Sequence, residues 1–79
     1  MNWKDHITTN SSVLGGKPII KGTRLSVEFI LERLADGWTE EMILENFSSL
    51  TKEDLQAIFA FSLENLQEAN MIDLKSSSE

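Results

Sequence analysis

The chain has 79 residues, 13 acidic and seven basic, for a formal net charge of −6, with 41% apolar residues and no cysteine. That length makes one domain, and the apolar share makes it globular rather than disordered. No disulfide or thiolate metal site can form, no apolar run approaches membrane-spanning length, and the N-terminus lacks the apolar segment of a signal peptide, so a cytoplasmic protein is expected.

The charge is unevenly placed. Residues 1–27 carry Lys4, Lys17, Lys21 and Arg24 against Asp5 alone, a balance of +3, whereas residues 28–79 carry three bases against twelve acids. The acidic total therefore hides a basic front end.

The first six residues are polar apart from Trp3, whose indole is expected to pack on a hairpin or on a second chain. His6 is the sole histidine; with no cysteine and no acid at helical spacing, it reads as a surface or hairpin-flank side chain, and no metal site is expected. Ile7-Thr8-Thr9 is a candidate strand, followed by the polar turn Asn10-Ser11-Ser12. The run from Val13 to Arg24 then holds three of the four glycines and the only proline. Gly15-Gly16 permits positive φ, and Pro18 biases Lys17 towards extended geometry. Ile19-Ile20, a Lys21-Gly22 turn and Thr23-Arg24-Leu25 read as a small hairpin with cations at its tip and flanks. A phosphate-binding P-loop fails at both ends of its motif: Ser11 stands where the first glycine belongs, and Pro18 follows Lys17 where Ser or Thr is needed.

Three helices follow. Ser26 is a good N-cap for a helix from Val27 to about Asp36, with Val27, Ile30, Leu31 and Leu34 on one face and Gly37 as its left-handed stop. Thr39 caps a second helix, Glu40 to about Asn46, whose acidic first turn suits the helix dipole. Thr51 with Asp54 resembles a capping box for a third helix, in which Leu55, Ile58, Phe59, Ser62, Leu63 and Leu66 keep an apolar period. The expected core is Val27, Ile30, Leu31, Leu34, Ile43, Phe47, Leu55, Ile58 and Phe59. Residues 1–69 form the domain, and residues 70–79 are expected to be a flexible tail. The fold class is mainly α: a three-helix, helix-turn-helix-like domain with a small N-terminal β-hairpin.

Ile7-Thr8-Thr9-Asn10, then VLGGKPIIKGTR, then LADGWTEEMILENFSSLTKEDLQA closely resembles a family of short prokaryotic proteins, domain-of-unknown-function family 433. The resemblance covers His6 to Leu66, and the GGKP…KGTR segment is specific to that family. Ser11, Ser26 and Ser48 stand where the family commonly has proline. The resemblance implies a helix-turn-helix-like domain and, for many members, an antitoxin paired with a PIN-like toxin.

Catalysis is not expected. An enzyme needs a nucleophile with its base, a metal, or a carboxylate cleft, and the adjacent acids Glu40-Glu41 and Glu53-Asp54 sit in first helical turns where the dipole accounts for them. No cofactor and no small-molecule substrate is implied. For DNA, the third helix opens with Lys52 beside two acids, so phosphate contact falls to Lys17, Lys21 and Arg24, with Lys52 as the helical contribution. For protein, the wide apolar face of the third helix and the tail offer Phe61, Leu63, Leu66, Met71, Ile72 and Leu74 as partner-binding residues, and the small core favours a homodimer. The combined expectation is an antitoxin-like DNA-binding and toxin-binding protein; the alternative is a dimeric interaction module that binds no DNA.

Overall fold

The structure, a computed structural model, describes residues 1–69. The expected flexible tail, with Met71, Ile72 and Leu74, lies outside the described residues. Two strands and three helices follow in the order β1 (Ile7–Thr8), β2 (Ile19–Ile20), α1 (Val27–Ala35), α2 (Glu40–Asn46) and α3 (Lys52–Glu68), with short 3-10 turns at Trp3–Asp5 and Leu14–Gly16.

The expected small antiparallel pair of strands near the N-terminus is present, but its partners differ from the expected Ile19-Ile20 and Thr23–Leu25. β2 pairs antiparallel with β1, Ile7 opposite Ile20 and Thr8 opposite Ile19, across the whole Thr9–Pro18 connection. The segment Thr23–Leu25 forms no strand, although the chain folds back along β2: the Ile20 amide donates to the Leu25 carbonyl and the Val27 amide to that of Pro18, both at 3.0 Å, and Ile19 bridges Ser26. Thr23 explains why. Its hydroxyl donates to the Ile20 carbonyl (2.8 Å) and accepts from the Leu25 amide (3.0 Å), which closes a loop that a ladder would have to open. Lys21 and Gly22 stand at its tip, Gly22 with φ of 80°.

All three helices start where their caps predict. Ser26 accepts from the Phe29 amide, Thr39 from that of Met42, and Thr51 from that of Asp54, with the reciprocal Asp54 bond completing a capping box. α1 ends at Gly37, φ 97°, where the Trp38 amide reaches the Arg33 carbonyl and the Gly37 amide that of Leu34. That pair of bonds is a Schellman motif.

The core lies between the small sheet and the three helices. Ile20, Ile30, Ile43, Leu55 and Ile58 are fully buried, each contributing about 1.5–3 kcal/mol of transfer free energy. Leu31, Leu34 and Phe47 are only partly buried and pack against this cluster from its rim. Phe59, expected inside, is 46% exposed. α3 carries two apolar stripes, and only the one through Leu55 and Ile58 faces the core. The second, Phe59, Leu63 and Leu66, lies on the outer side.

Candidate interaction surfaces

Three surfaces draw together the residues with chemical potential. The first is a cleft of ≈ 560 Å³ between the Leu14–Ser26 segment and α1, lined by Leu14, Lys17, Arg24, Leu25, Phe29 and the carboxylates of Glu28 and Glu32. Leu14 is the only non-glycine among the described residues with positive φ (50°), and it stands 50% exposed at the rim. A branched residue in this region is strained. Lys17 does not present a free cation here: its Nζ lies 3.0 Å from Glu28 Oε1, both groups well exposed. Lys21 and Arg24 are exposed, and no described carboxylate pairs with either. The loop thus offers two cations where three were expected.

The second surface is acidic. Lys52 is exposed in the first turn of α3, beside Glu53 and close in sequence to Glu40, Glu41 and Glu45 of α2. These four acids are exposed and take part in no ion pair among the described residues. Glu40, Glu41 and Glu53 lie in first helical turns, where the helix dipole stabilises an acid without a cation; Glu45, near the other end of α2, has no such support. With an exposed acid directly beside Lys52 and three more on α2, the start of α3 has little to offer a phosphate backbone.

The third surface is the outer side of α3. Leu63 and Leu66 are 56% and 52% exposed. Phe61 is not available in the same way. It is half-buried under Trp3, ring centroids 4.8 Å apart and edge-on, and the Trp3 Nε1 donates to Glu64 at 2.9 Å. Trp3 therefore packs on α3 of its own chain, which is neither the hairpin nor the second chain expected for it.

Sequence reasoning missed two partly buried contacts. His6 is half-buried, its Nδ1 2.8 Å from Asp54 Oδ1, while Asp54 Oδ2 accepts from the Thr51 amide at 3.0 Å. The expected surface histidine is thus a tie between the start of the sheet and the cap of α3. The two residues are 48 apart, and no local pattern reveals such a pair; only the capping box signalled that Asp54 was special. Arg33 is a second case. Its guanidinium stacks on Phe29 (4.8 Å) and reaches Trp38 (6.0 Å), and Phe47 contacts both rings. Among the described residues, no three His, Asp or Glu side chains converge on a metal-sized site, and no helix is long and apolar enough to cross a membrane.

Comparison with known proteins agrees with the fold. The chain is 32% identical over 53 residues to the uncharacterized protein y4eO of Sinorhizobium fredii; the match covers 67% of this chain and 24% of that relative, so the chain spans about a quarter of its length. A crystal structure of a DUF433 member protein from Anabaena variabilis superposes with a TM-score of 0.76 at 27% identity, covering 85% of this chain and 66% of that one. The family described as Protein of unknown function (DUF433) matches residues 7–62, most of the described fold, and the chain belongs to it.

Proposed function

We propose that the protein is a non-catalytic, antitoxin-like binding protein whose acidic helical side takes a basic protein partner, of the PIN-like toxin kind. The observation that carries this reading is that Glu40, Glu41, Glu45 and Glu53, along α2 and the start of α3, are exposed and have no ion-pair partner among the described residues. Carboxylates left without cations on a folded surface create a field that steers a basic surface and selects against an acidic one. Met42, 41% exposed among them, supplies an adaptable apolar contact. The test is capture of the neighbouring gene's product by the full chain and by the triple variant E40K/E41K/E45K. Capture should be lost in the variant and should weaken with salt in the wild type; equal capture by both removes the acidic side from the interface.

DNA contact is a second reading, favoured by Lys21 and Arg24, exposed at one loop and without a carboxylate partner among the described residues. With Lys17 held by Glu28, about two phosphates per chain are met, and the log–log salt slope is about −2 per chain. A duplex from the protein's own promoter is shifted at low salt under this reading and not shifted by K21A/R24A. No shift by the wild type leaves the protein-only role.

A further inference from the structure

We propose that the outer stripe of α3 pairs antiparallel with α3 of a second copy of this chain. This is independent of the partner reading above, which uses α2. Three observations lead to it.

The first is spacing. Gln56, Phe59, Leu63 and Leu66 follow one another at three, four and three residues, the a/d rhythm of a helix that packs along another helix. All four are exposed, and the apolar three are about half exposed or more.

The second is the reach of the helix. From Leu63 to Ala69 every residue is exposed, so the last two turns of α3 stand clear of the core apart from the Trp3 indole at Glu64. A helical end of this kind, with little tertiary packing, is marginal in water, and burial of the stripe supplies what the domain itself does not.

The third is charge, and it selects the occupant. The chain is strongly acidic, yet the stripe and its flanking positions Ala60, Ser62, Gln67 and Ala69 carry no charge. Ser62 also satisfies its own hydroxyl, which donates to the Ile58 carbonyl at 2.7 Å. Glu64 is turned away, accepting from Trp3. A basic partner helix would look for carboxylates beside the seam and find none. Two copies of one acidic protein need a seam free of like charges, and this is one. The small flanks let the helix backbones approach. Lys52, four residues before Gln56 on the same line, fixes the direction: in an antiparallel pair it lies beside the carboxyl end of the partner helix, where the dipole favours a cation. A parallel pair would bring the two acidic α2 sides together and is opposed by their repulsion.

The pairing axis passes between Phe59 and Leu63, so Phe59 of each copy meets the partner's Leu63, and Gln56 meets the partner's Leu66. Sedimentation equilibrium of the full chain at micromolar concentration should give about twice the 8.9 kDa chain mass. Leu63→Glu, at a position exposed in the single chain, should keep the helical circular dichroism and weaken association by at least ~100-fold; Phe59→Ser should do the same. The chain has no cysteine of its own, so direction can be read by cross-linking. An equimolar mixture of Gln56→Cys and Leu66→Cys chains should form the mixed disulfide on mild oxidation, with little linkage in either chain alone. A monomeric wild type, a dimer indifferent to Leu63→Glu, or ready linkage of Gln56→Cys to itself each overturns the proposal.

Discussion

Asp54 is the residue through which the two ends of the fold are joined. One carboxylate oxygen meets the His6 ring and the other accepts from the Thr51 amide, while its own amide is held by the Thr51 hydroxyl at 3.1 Å. Both oxygens are thus committed, and the side chain is 13% exposed. Asp54→Ala removes half of the capping box and leaves the half-buried imidazole without its partner. The expected loss is about 1–2 kcal/mol, read as a lower urea midpoint at unchanged slope. Glu53→Ala, one residue away but exposed, should change the midpoint little. Indistinguishable midpoints for the two variants would remove the tie from the account of stability. Leu14 is the opposite case at this scale. It stands at the cleft rim with positive φ and half its surface in water, so neither burial nor backbone preference explains its identity.

At the scale of elements, the junction between α1 and α2 is the best-defined stop in the chain. Gly37 takes φ of 97° so that two amides can bond back into the last turn of α1, and Trp38 is thereby placed over Arg33 and Phe47. A Cβ at Gly37 would meet nothing within 4 Å, so the cost of Gly37→Ala is purely one of backbone conformation, about 1–2 kcal/mol. Thermal unfolding should drop by roughly 4–8 °C for each kcal/mol in a domain of this size. Gly37→Asn, better tolerated in the left-handed region, should recover part of the loss; a melting temperature for Gly37→Ala equal to wild type would mean that the junction does not need this conformation. The helices were legible because Ser26, Thr39, Thr51 and Gly37 are local signals, read without knowing the fold. The strand pairing was not, because Thr8 to Ile19 is a choice between partners, and Thr23 decided it by a turn bond that composition does not show. α3 was half legible: its period identified an apolar helix, but two stripes side by side read as one broad face, and Phe59 was assigned to the wrong one. The candidate surfaces divide the same way. Lys21 and Arg24 stayed exposed as expected, whereas the pairing of Lys17 with Glu28, eleven residues on, depends on how the loop meets α1.

Over the whole molecule, the main organising feature is electrostatic polarity. The described residues from Glu28 onward carry ten acids against Arg33 and Lys52. Four of these acids have named partners: Glu28 with Lys17, Asp36 with Arg33, Asp54 with His6, and Glu64 with Trp3. The other six are exposed and unpaired among the described residues. Added salt acts on both groups, and the balance decides the sign. The Lys17–Glu28 pair is exposed on both sides, and the Arg33–Asp36 contact is long at 3.7 Å; exposed pairs of this kind contribute at most about 1 kcal/mol each and usually less. Repulsion among six like charges on a small domain extends over more pairs, and at ~0.1 M salt a Debye length of ~10 Å screens most of them. The net effect of sodium chloride should therefore be stabilising, a rise of a few degrees in melting temperature, while the same salt weakens capture of a basic partner through α2. Charge-reversing Glu40, Glu41 and Glu45 together should flatten the salt response of stability. A melting temperature that falls steadily with sodium chloride would show that the few ion pairs outweigh the repulsion, and the acidic side would then be an ordinary solvated surface with no strain for a partner to relieve.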